Sequence, residues 1–170
     1  MSSTRSRGHV IVRRATPGDL PAVMEMFDEL ADLQEDWRVF TPRAGLRAEM
    51  RRRYDADLAD PDAVLVVAER AGEIVGMAAG HVLRPSSFSD ELAVELGSVF
   101  VCPDQRERGV AGALAAEVAR FARERGVQLV TLKTFARNEE ALAAWRRLGF
   151  EPRMIQMTAP VDRLSDLDRR

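Results

Sequence analysis

The sequence has few of the side chains that build disulfide bonds, metal sites or membrane spans. Cys102 is the one cysteine in 170 residues, which excludes an internal disulfide bond. The two histidines, His9 and His81, lie far apart, belong to no Cys/His cluster and read as ordinary strand-end residues, so no metal site is predicted. No apolar run approaches the length of a membrane span, and residues 1–8 lack the apolar core of a signal peptide. We therefore expect a soluble, cytoplasmic protein that contacts no membrane.

Lysine is almost absent as well. Lys133 is the single lysine among 25 basic residues, and the arginines are spread among 27 acidic ones. The net charge of −2 provides no general attraction to nucleic acid.

With 46% hydrophobic residues the chain can bury one core. We predict a tail over 1–8, one domain over 9–162 and a second tail over 163–170.

Hydrophobic periodicity predicts alternating strands and helices in the order β-α-α-β-β-β-α-β-α-β. Thr16-Pro17-Gly18-Asp19 begins the first helix and Thr41-Pro42 the second, while Arg70-Ala71-Gly72 joins two strands as a hairpin. The fourth helix turns Ala141, Leu142, Trp145 and Leu148 inward. Strands are predicted over 9–14, 64–68, 74–79, 92–101, 127–132 and 153–159, and helices over 16–36, 41–60, 109–126 and 138–149.

The first helix carries an acidic side. Acidic residues recur from Asp28 to Asp36 with no basic residue between them, including Asp32 and Glu35. One interpretation is a solvated helix face, and the other is a field that attracts a cationic substrate. The sequence leaves both open.

A strand passes into a helix through a small, basic loop. The strand ends at Val101, and the loop reads Arg106-Glu107-Arg108-Gly109 before the third helix. Amides at a helix start, the helix dipole and two guanidinium groups favour a bound phosphate or pyrophosphate. A capped helix that needs small residues for packing would explain the same pattern.

The spacing Arg106-x-x-Gly109-x-Ala111 resembles the acyl-CoA pyrophosphate loop of the GNAT superfamily of N-acyltransferases. Further along, Asn138-x-x-Ala141-x-x-x-Trp145 followed by Leu148-Gly149-Phe150 is similar to the fourth-helix segment of that superfamily. Upstream, Glu73-Ile74-Val75-Gly76 matches its usual third-strand opening, and Glu95 stands eleven residues before Arg106, where one branch places its general base. The resemblance extends over about residues 10–159.

The resemblance implies an α/β GNAT fold, with a mixed central β-sheet that splays between strands 4 and 5 and about four flanking helices. It implies acetyl-CoA as co-substrate and Glu95 as the general base. Because side chains alternate along a strand, we expect Glu95 to share a face with Gly97, Val99 and Val101. The residues expected to bind the cofactor are Val99, Phe100, Val101, Arg106, Glu107, Arg108, Gly109, Val110, Ala111, Gly112, Asn138 and Trp145.

One position departs from the family. Trp145 stands where many members have a tyrosine thought to protonate the departing thiolate, and an indole N–H has no usable acidity. The single tyrosine, Tyr54, lies out of register on the second helix, so no general acid is assigned. Cys102 is not needed as a nucleophile.

These residues predict an N-acetyltransferase that moves an acetyl group directly from acetyl-CoA to a primary amine of a small molecule or peptide. A catalytically silent acyl-CoA-binding sensor or partner module is the alternative. The expected partners exclude nucleic acid and membrane, and a homodimer stays open.

Overall fold

The computed structural model describes residues 9–36, 44–85 and 90–165, except the side chains of 35, 36 and 165. The start of the second helix at 41–43 and most of both predicted tails lie outside these residues, so the domain boundaries stay predictions. The strands are β1 Ile11–Arg14, β2 Ala63–Arg70, β3 Glu73–Leu83, β4 Ala93–Val101 and β5 Leu129–Leu132. The α-helices are α1 Leu20–Asp36, α2 Leu46–Asp57, α3 Val110–Glu124, α4 Glu139–Arg147 and α5 Val161–Ser165.

The chain forms two compact units, residues 1–138 and 139–170. The first contains a mixed sheet in the order β1-β2-β3-β4-β5, in which only the β4–β5 pair is parallel. The second contains α4 and α5. No helix within the described ranges is long and apolar enough to cross a membrane.

Local sequence explains two of the chain reversals. Ala71 and Gly72 both have positive φ, 54° and 84°, which gives the β2–β3 hairpin a twist that matches its strands. Before α1, the Thr16 N–H donates to Asp19 Oδ2 at 2.7 Å, and Arg13 donates to both carboxylate oxygens at 2.7 and 2.9 Å. The Arg13 guanidinium holds the pKa of the Asp19 carboxyl well below its ordinary value. This pairing fixes the start of α1 to β1.

The two faces of the sheet pack differently. On one face α3 approaches β3 closely, because a Cβ at Gly76 would stand 3.2 Å from Val110 Cγ1 and 3.3 Å from Leu114 Cδ1. On the other face α1 and α2 cover a core that includes Met24, Tyr54, Leu65, Met77 and Phe100. We call these the α3 face and the α1/α2 face.

A bulge interrupts the β3–β4 ladder. Ala79 pairs with Ser98, but the next residue, Gly80, pairs with Leu96, so Gly97 is an extra residue in β4. A bulge of this kind reverses the alternation of side chains on the two sides of it. Residues 93–96 therefore follow the opposite parity from residues 98–101.

Two predictions for the C-terminal region are wrong. Residues 151–160 form no strand and are exposed, and Met154, Ile155 and Met157 have 88%, 84% and 89% of their surface accessible. A strand needs a ladder partner, and within the described residues β5 pairs with β4 alone. In α4, Leu148 is exposed rather than inward, while Trp145 is half-buried.

Candidate active site

The two edges of β4 are paired to different extents. On one edge it pairs with β3 over its whole length, from Ala93 to Val101. On the other it pairs with β5 only from Ala93 to Leu96, opposite residues 129–132. The predicted splay between strands 4 and 5 is confirmed, and on this side residues 97–101 of β4 pair with no strand among the described residues, which leaves them an open edge.

Val99 and Val101 direct their backbone groups to this open edge. The Cys102 N–H donates to Val75 O at 3.0 Å, so Cys102 faces β3. Because backbone groups alternate in direction along an antiparallel strand, the N–H and C=O of Val101 and Val99 point away from β3. The Val101 carbonyl already accepts from Arg106 Nε at 3.3 Å, so Val101 presents its N–H to the open edge, while Val99 presents both an N–H and a C=O.

Phe100 does not face the open edge of β4. Its side chain is 3% exposed and belongs to the core under α1 and α2, and its backbone alternates toward β3. Phe100 is therefore a core residue, whereas the resemblance led us to expect that it contacts the cofactor. Short apolar strands do not reveal which residues face a ligand through their backbone.

The basic loop ends at a helix start with open amides. Gly109 has a left-handed conformation, φ 79°, and a Cβ there would meet nothing within 4 Å. The first intrahelical bond runs from Ala113 N–H to Gly109 O at 3.0 Å. The amides of Val110, Ala111 and Gly112 therefore precede the helical ladder and point out of its N-terminus. The Val110 side chain is buried on the α3 face, so only its amide is available.

Arg106 connects this loop to the open edge of β4. Its Nε donates to Val101 O at 3.3 Å, which places a guanidinium group beside the strand. Arg108 and Glu107 are exposed in the same turn, and Glu107 has a positive φ of 58°. A non-glycine residue in this conformation is uncommon and indicates a tightly shaped loop. The arrangement suits an anion beside the amides of α3.

Glu95 lies on the opposite face from the one expected. It pairs with His81, whereas Val99 and Val101 pair with Ala78 and Gly76. The bulge at Gly97 thus turns Glu95 toward the α1/α2 face while both valines point toward α3. The prediction that they share a face is wrong, because simple strand parity does not survive an inserted residue.

The Glu95 carboxylate has a cationic neighbour. Its Oε1 lies 2.7 Å from Lys133 Nζ, and its side chain keeps 23% of its surface exposed against 87% for Lys133. Lys133 follows Leu132, the last residue of β5 to pair with β4. The pair stands where the two strands begin to separate.

His81 was expected to be an ordinary strand-end residue, but it belongs to a polar cluster beside Glu95. Its Nε2 lies 3.0 Å from Asp57 Oδ1, and Arg53 Nη2 lies 3.3 Å from its Nδ1. Asp57 is 7% exposed, and its Oδ2 has no hydrogen-bond partner among the described residues. Since His81 and Asp57 are 24 positions apart on a strand and a helix, no local spacing could have revealed the pair.

Burial raises the pKa of both Tyr54 and Cys102. The Tyr54 hydroxyl donates to Ser98 Oγ at 3.1 Å, and burial raises the pKa of this tyrosine. Burial is also the main reason why the pKa of the Cys102 thiol is raised. A neutral thiol is a weak nucleophile, so Cys102 is not equipped for a covalent step.

Asn138 and Trp145 lie on either side of the division between the two units. Asn138 is half-buried at the end of the first unit, and its N–H donates to Phe135 O at 2.9 Å. Trp145 packs edge-on against Phe150 within the second unit, with ring centroids 5.4 Å apart. Their cofactor contacts stay predictions.

The acidic side of α1 is partly neutralised. Arg47 of α2 donates to Asp28 at 2.8 Å, which pairs one carboxylate of the run across two helices. The side chains of Glu35 and Asp36 lie outside the described residues. In the part of the chain that the structure describes, no group of three His, Cys, Asp or Glu residues could hold a metal ion.

A mixed sheet with an open strand edge, followed by a basic loop and a helix N-terminus, defines an acyltransferase of the kind that the sequence resembles. The model of the acetyltransferase (GNAT) family matches residues 30–150, which is more than half of the chain. The chain therefore belongs to the acetyltransferase (GNAT) family.

Individual relatives resemble most of the chain. An uncharacterized N-acetyltransferase of Bacillus subtilis, YhfO, is 28% identical over 142 residues, covering 82% of this chain and 89% of its own. An L-methionine sulfoximine/L-methionine sulfone acetyltransferase of Pseudomonas paraeruginosa is 28% identical over 141 residues, 82% of this chain and 79% of its own. Among solved structures, an aminoglycoside N-acetyltransferase in complex with CoA has a TM-score of 0.75 at 19% identity, covering 93% and 98% of the two chains. This last likeness confirms the fold.

Proposed function

We propose that the protein transfers the acetyl group of acetyl-CoA directly to a primary amine of a small molecule. The observation that carries this proposal is the open edge of β4 over residues 97–101, which begins just after Glu95 and ends at the basic loop and the α3 amides. The open edge thus lies between an anion site and a carboxylate, and its own backbone groups can pair with an extended ligand.

The residues present fit an acyl-CoA. The amides of Val110 to Gly112, with Arg106 and Arg108, would hold the pyrophosphate, and the open space above Gly109 lets phosphate oxygens approach the backbone. The outward N–H and C=O of Val99 and the outward N–H of Val101 match the amides of the pantetheine arm, which needs strand-like partners. One of these N–H groups is also placed to donate to the thioester oxygen during transfer.

The chemistry that remains is proton removal and acyl transfer. A primary amine is largely protonated at neutral pH and cannot attack in that form. Glu95 takes one proton from the ammonium group, and the amine nitrogen forms a bond to the thioester carbonyl carbon. The carbon–sulfur bond breaks, and the second nitrogen proton passes to the departing CoA thiolate, so the products are an amide and CoA. Because a thiolate is a tolerable leaving group near neutral pH, no side chain is required as general acid. This agrees with a buried, hydrogen-bonded Tyr54 and with tryptophan at position 145.

The cluster beside Glu95 favours a cationic acceptor. Asp57 contributes a buried carboxylate with one unpaired oxygen, and His81 lies between it and the strand that carries Glu95. The relatives named for L-methionine sulfoximine and for aminoglycosides support small amine acceptors, while a peptide amine remains the second class to test. A cytoplasmic location and a homodimer stay predictions.

The test is CoA release from acetyl-CoA with a panel of amino acid analogues, aminoglycosides, polyamines and peptides. We expect turnover with at least one small primary amine and none with its N-methylated quaternary analogue, which has no proton to lose. Calorimetric binding of acetyl-CoA without turnover across the panel would overturn the proposal and support the alternative of a silent acyl-CoA-binding module.

A further inference from the structure

Lys133 is the only side-chain amine in the chain, and its ammonium group contacts the carboxylate to which we assign proton removal. The other 24 basic residues are arginines, whose guanidinium groups stay protonated and do not act as acyl acceptors. Lys133 Nζ lies 2.7 Å from Glu95 Oε1. A protein with a single lysine thus places it against this carboxylate.

The backbone explains why Lys133 reaches this point. In the parallel β4–β5 pair, Glu95 is level with Thr131 and Leu96 with Leu132, so the position after Leu132 is level with Gly97. Lys133 and Thr131 are two residues apart, which directs their side chains to the same face as Glu95. At this level the two strands separate and the open edge of β4 begins.

We propose that Lys133 is a self-acetylation site, whose amine occupies the acceptor position beside Glu95 when no substrate is bound. This inference rests on the proposed function. Glu95 accepts a proton from the ammonium group, and the nitrogen attacks the thioester carbonyl of acetyl-CoA bound along the open edge. A nitrogen–carbon bond forms and the carbon–sulfur bond breaks. The second nitrogen proton passes to the departing thiolate, so the products are acetyl-lysine and CoA.

The contact between the two side chains is suited to exchange. The Lys133 side chain is 87% exposed, and an ion pair with one partner in solvent contributes little to stability, so the amine can leave Glu95 when an acceptor arrives. Acetylation would remove the positive charge and with it the pairing to Glu95. The reaction is therefore limited to one acetyl group per chain.

Mass spectrometry of the purified protein after incubation with acetyl-CoA tests the inference. Trypsin cuts after Arg125, Lys133 and Arg137, so acetylation of Lys133 leaves the peptide Gly126–Arg137 intact. We expect one acetyl group per chain at this peptide, at a first-order rate that does not depend on protein concentration. The Lys133→Arg variant should gain none.

Glu95→Gln separates catalysed transfer from uncatalysed chemistry with acetyl-CoA. We expect it to slow Lys133 acetylation at least about tenfold at neutral pH, with the loss shrinking as the pH rises. Circular dichroism and acetyl-CoA calorimetry would verify that this variant is folded and loaded. An equal rate in Glu95→Gln, or in heat-unfolded protein, would overturn the inference.

Parallel assays with external amines distinguish this inference from the proposed function. If the same preparation acetylates an external amine but leaves Lys133 unmodified, the self-acetylation is wrong and the proposed function stands. If Lys133 and every external amine remain unmodified in protein that binds acetyl-CoA, both are wrong.

Discussion

The two halves of β4 are continuous in sequence but differ in how many strands pair with them. Residues 93–96 are bonded to β3 and β5 on both edges, and Ala93, Val94 and Leu96 are buried. Residues 97–101 are bonded to β3 alone, and Val99 and Val101 are only half-buried. Gly97, the extra residue of the bulge, marks the boundary between them.

This difference shows how one strand supplies both stability and a binding edge. The doubly paired half holds the sheet together and supports Glu95 at its end. The half with one open edge keeps backbone donors and acceptors available, which a complete ladder would have consumed. The bulge also turns the Glu95 side chain to the opposite face from Val99 and Val101. In the proposed reaction the Glu95 carboxylate acts on the acceptor amine, and the open backbone of residues 97–101 binds the acyl donor.

The largest expected effect concerns the carboxylate at the boundary. Glu95→Gln should lower turnover roughly a hundredfold or more at neutral pH, because the acceptor amine loses its base. The deficit should shrink at higher pH, where free amine accumulates, and acetyl-CoA affinity by calorimetry should change little. Glu73→Gln, an exposed glutamate at the start of β3, serves as the control and should leave turnover unchanged. Normal turnover in Glu95→Gln would move the base to another group, such as His81, which pairs with Glu95 across the β3–β4 ladder.

A second experiment tests whether the loop beyond the open half binds phosphate. Gly109→Glu puts bulk and negative charge beside the α3 amides and should weaken acetyl-CoA binding at least about tenfold, a loss of about 1.4 kcal/mol. Gly126→Glu is a matched control at the other end of α3, since both glycines have positive φ and open space around a Cβ. Equal losses in the two variants would point to strain rather than to phosphate binding.

The packing on the α3 face should respond to one methyl group. A Cβ at Gly76 would lie 3.0 Å from Phe100 O, so Gly76→Ala should lower the free energy of unfolding by about 1–3 kcal/mol. At Gly97 the nearest atom would be Ala79 O at 4.0 Å, so Gly97→Ala should be neutral or slightly stabilising. Urea unfolding of both variants measures the contrast, and a large loss at Gly97 would show that the bulge itself needs glycine.

The smallest effect on turnover is expected at Asp19, a carboxylate far along the chain from β4 whose role is in the stability of the fold. Asp19 is buried and paired with Arg13, and its pKa is depressed in the folded state, so it stabilises the fold above its unfolded pKa of about 3.9. Asp19→Asn should cost about 1–2 kcal/mol near pH 7. The difference from the wild-type protein should narrow as the pH falls below about 4, because the carboxylate then becomes protonated in the unfolded chain while it is still ionised in the fold. A thermal-unfolding difference that stays constant from pH 7 to pH 3 would contradict this role, and turnover of the folded variant should be normal.

Much of the fold and part of the site follow from local sequence. Three features agree with the predictions because a few neighbouring residues set each of them. They are the β2–β3 hairpin, the Thr16–Asp19 turn that leads into α1, and Gly126 just after the end of α3. The spacing of Arg106, Gly109 and Ala111 likewise predicts the loop over residues 106–112. Residues 153–159 fail as a strand because an alternating pattern does not supply a pairing partner.

The sequence by itself determined the family, the order of the elements from β1 to α4 and the residue types at the loop, since these depend on short-range backbone preferences and fixed spacing. Only the tertiary structure decided which face carries Glu95, that Lys133 is its neighbour and that His81 joins Asp57. Each of these contacts joins residues at least 14 positions apart. Their geometry depends on one bulge and on the register of paired strands, and these are set by packing across the whole sheet rather than by any local segment.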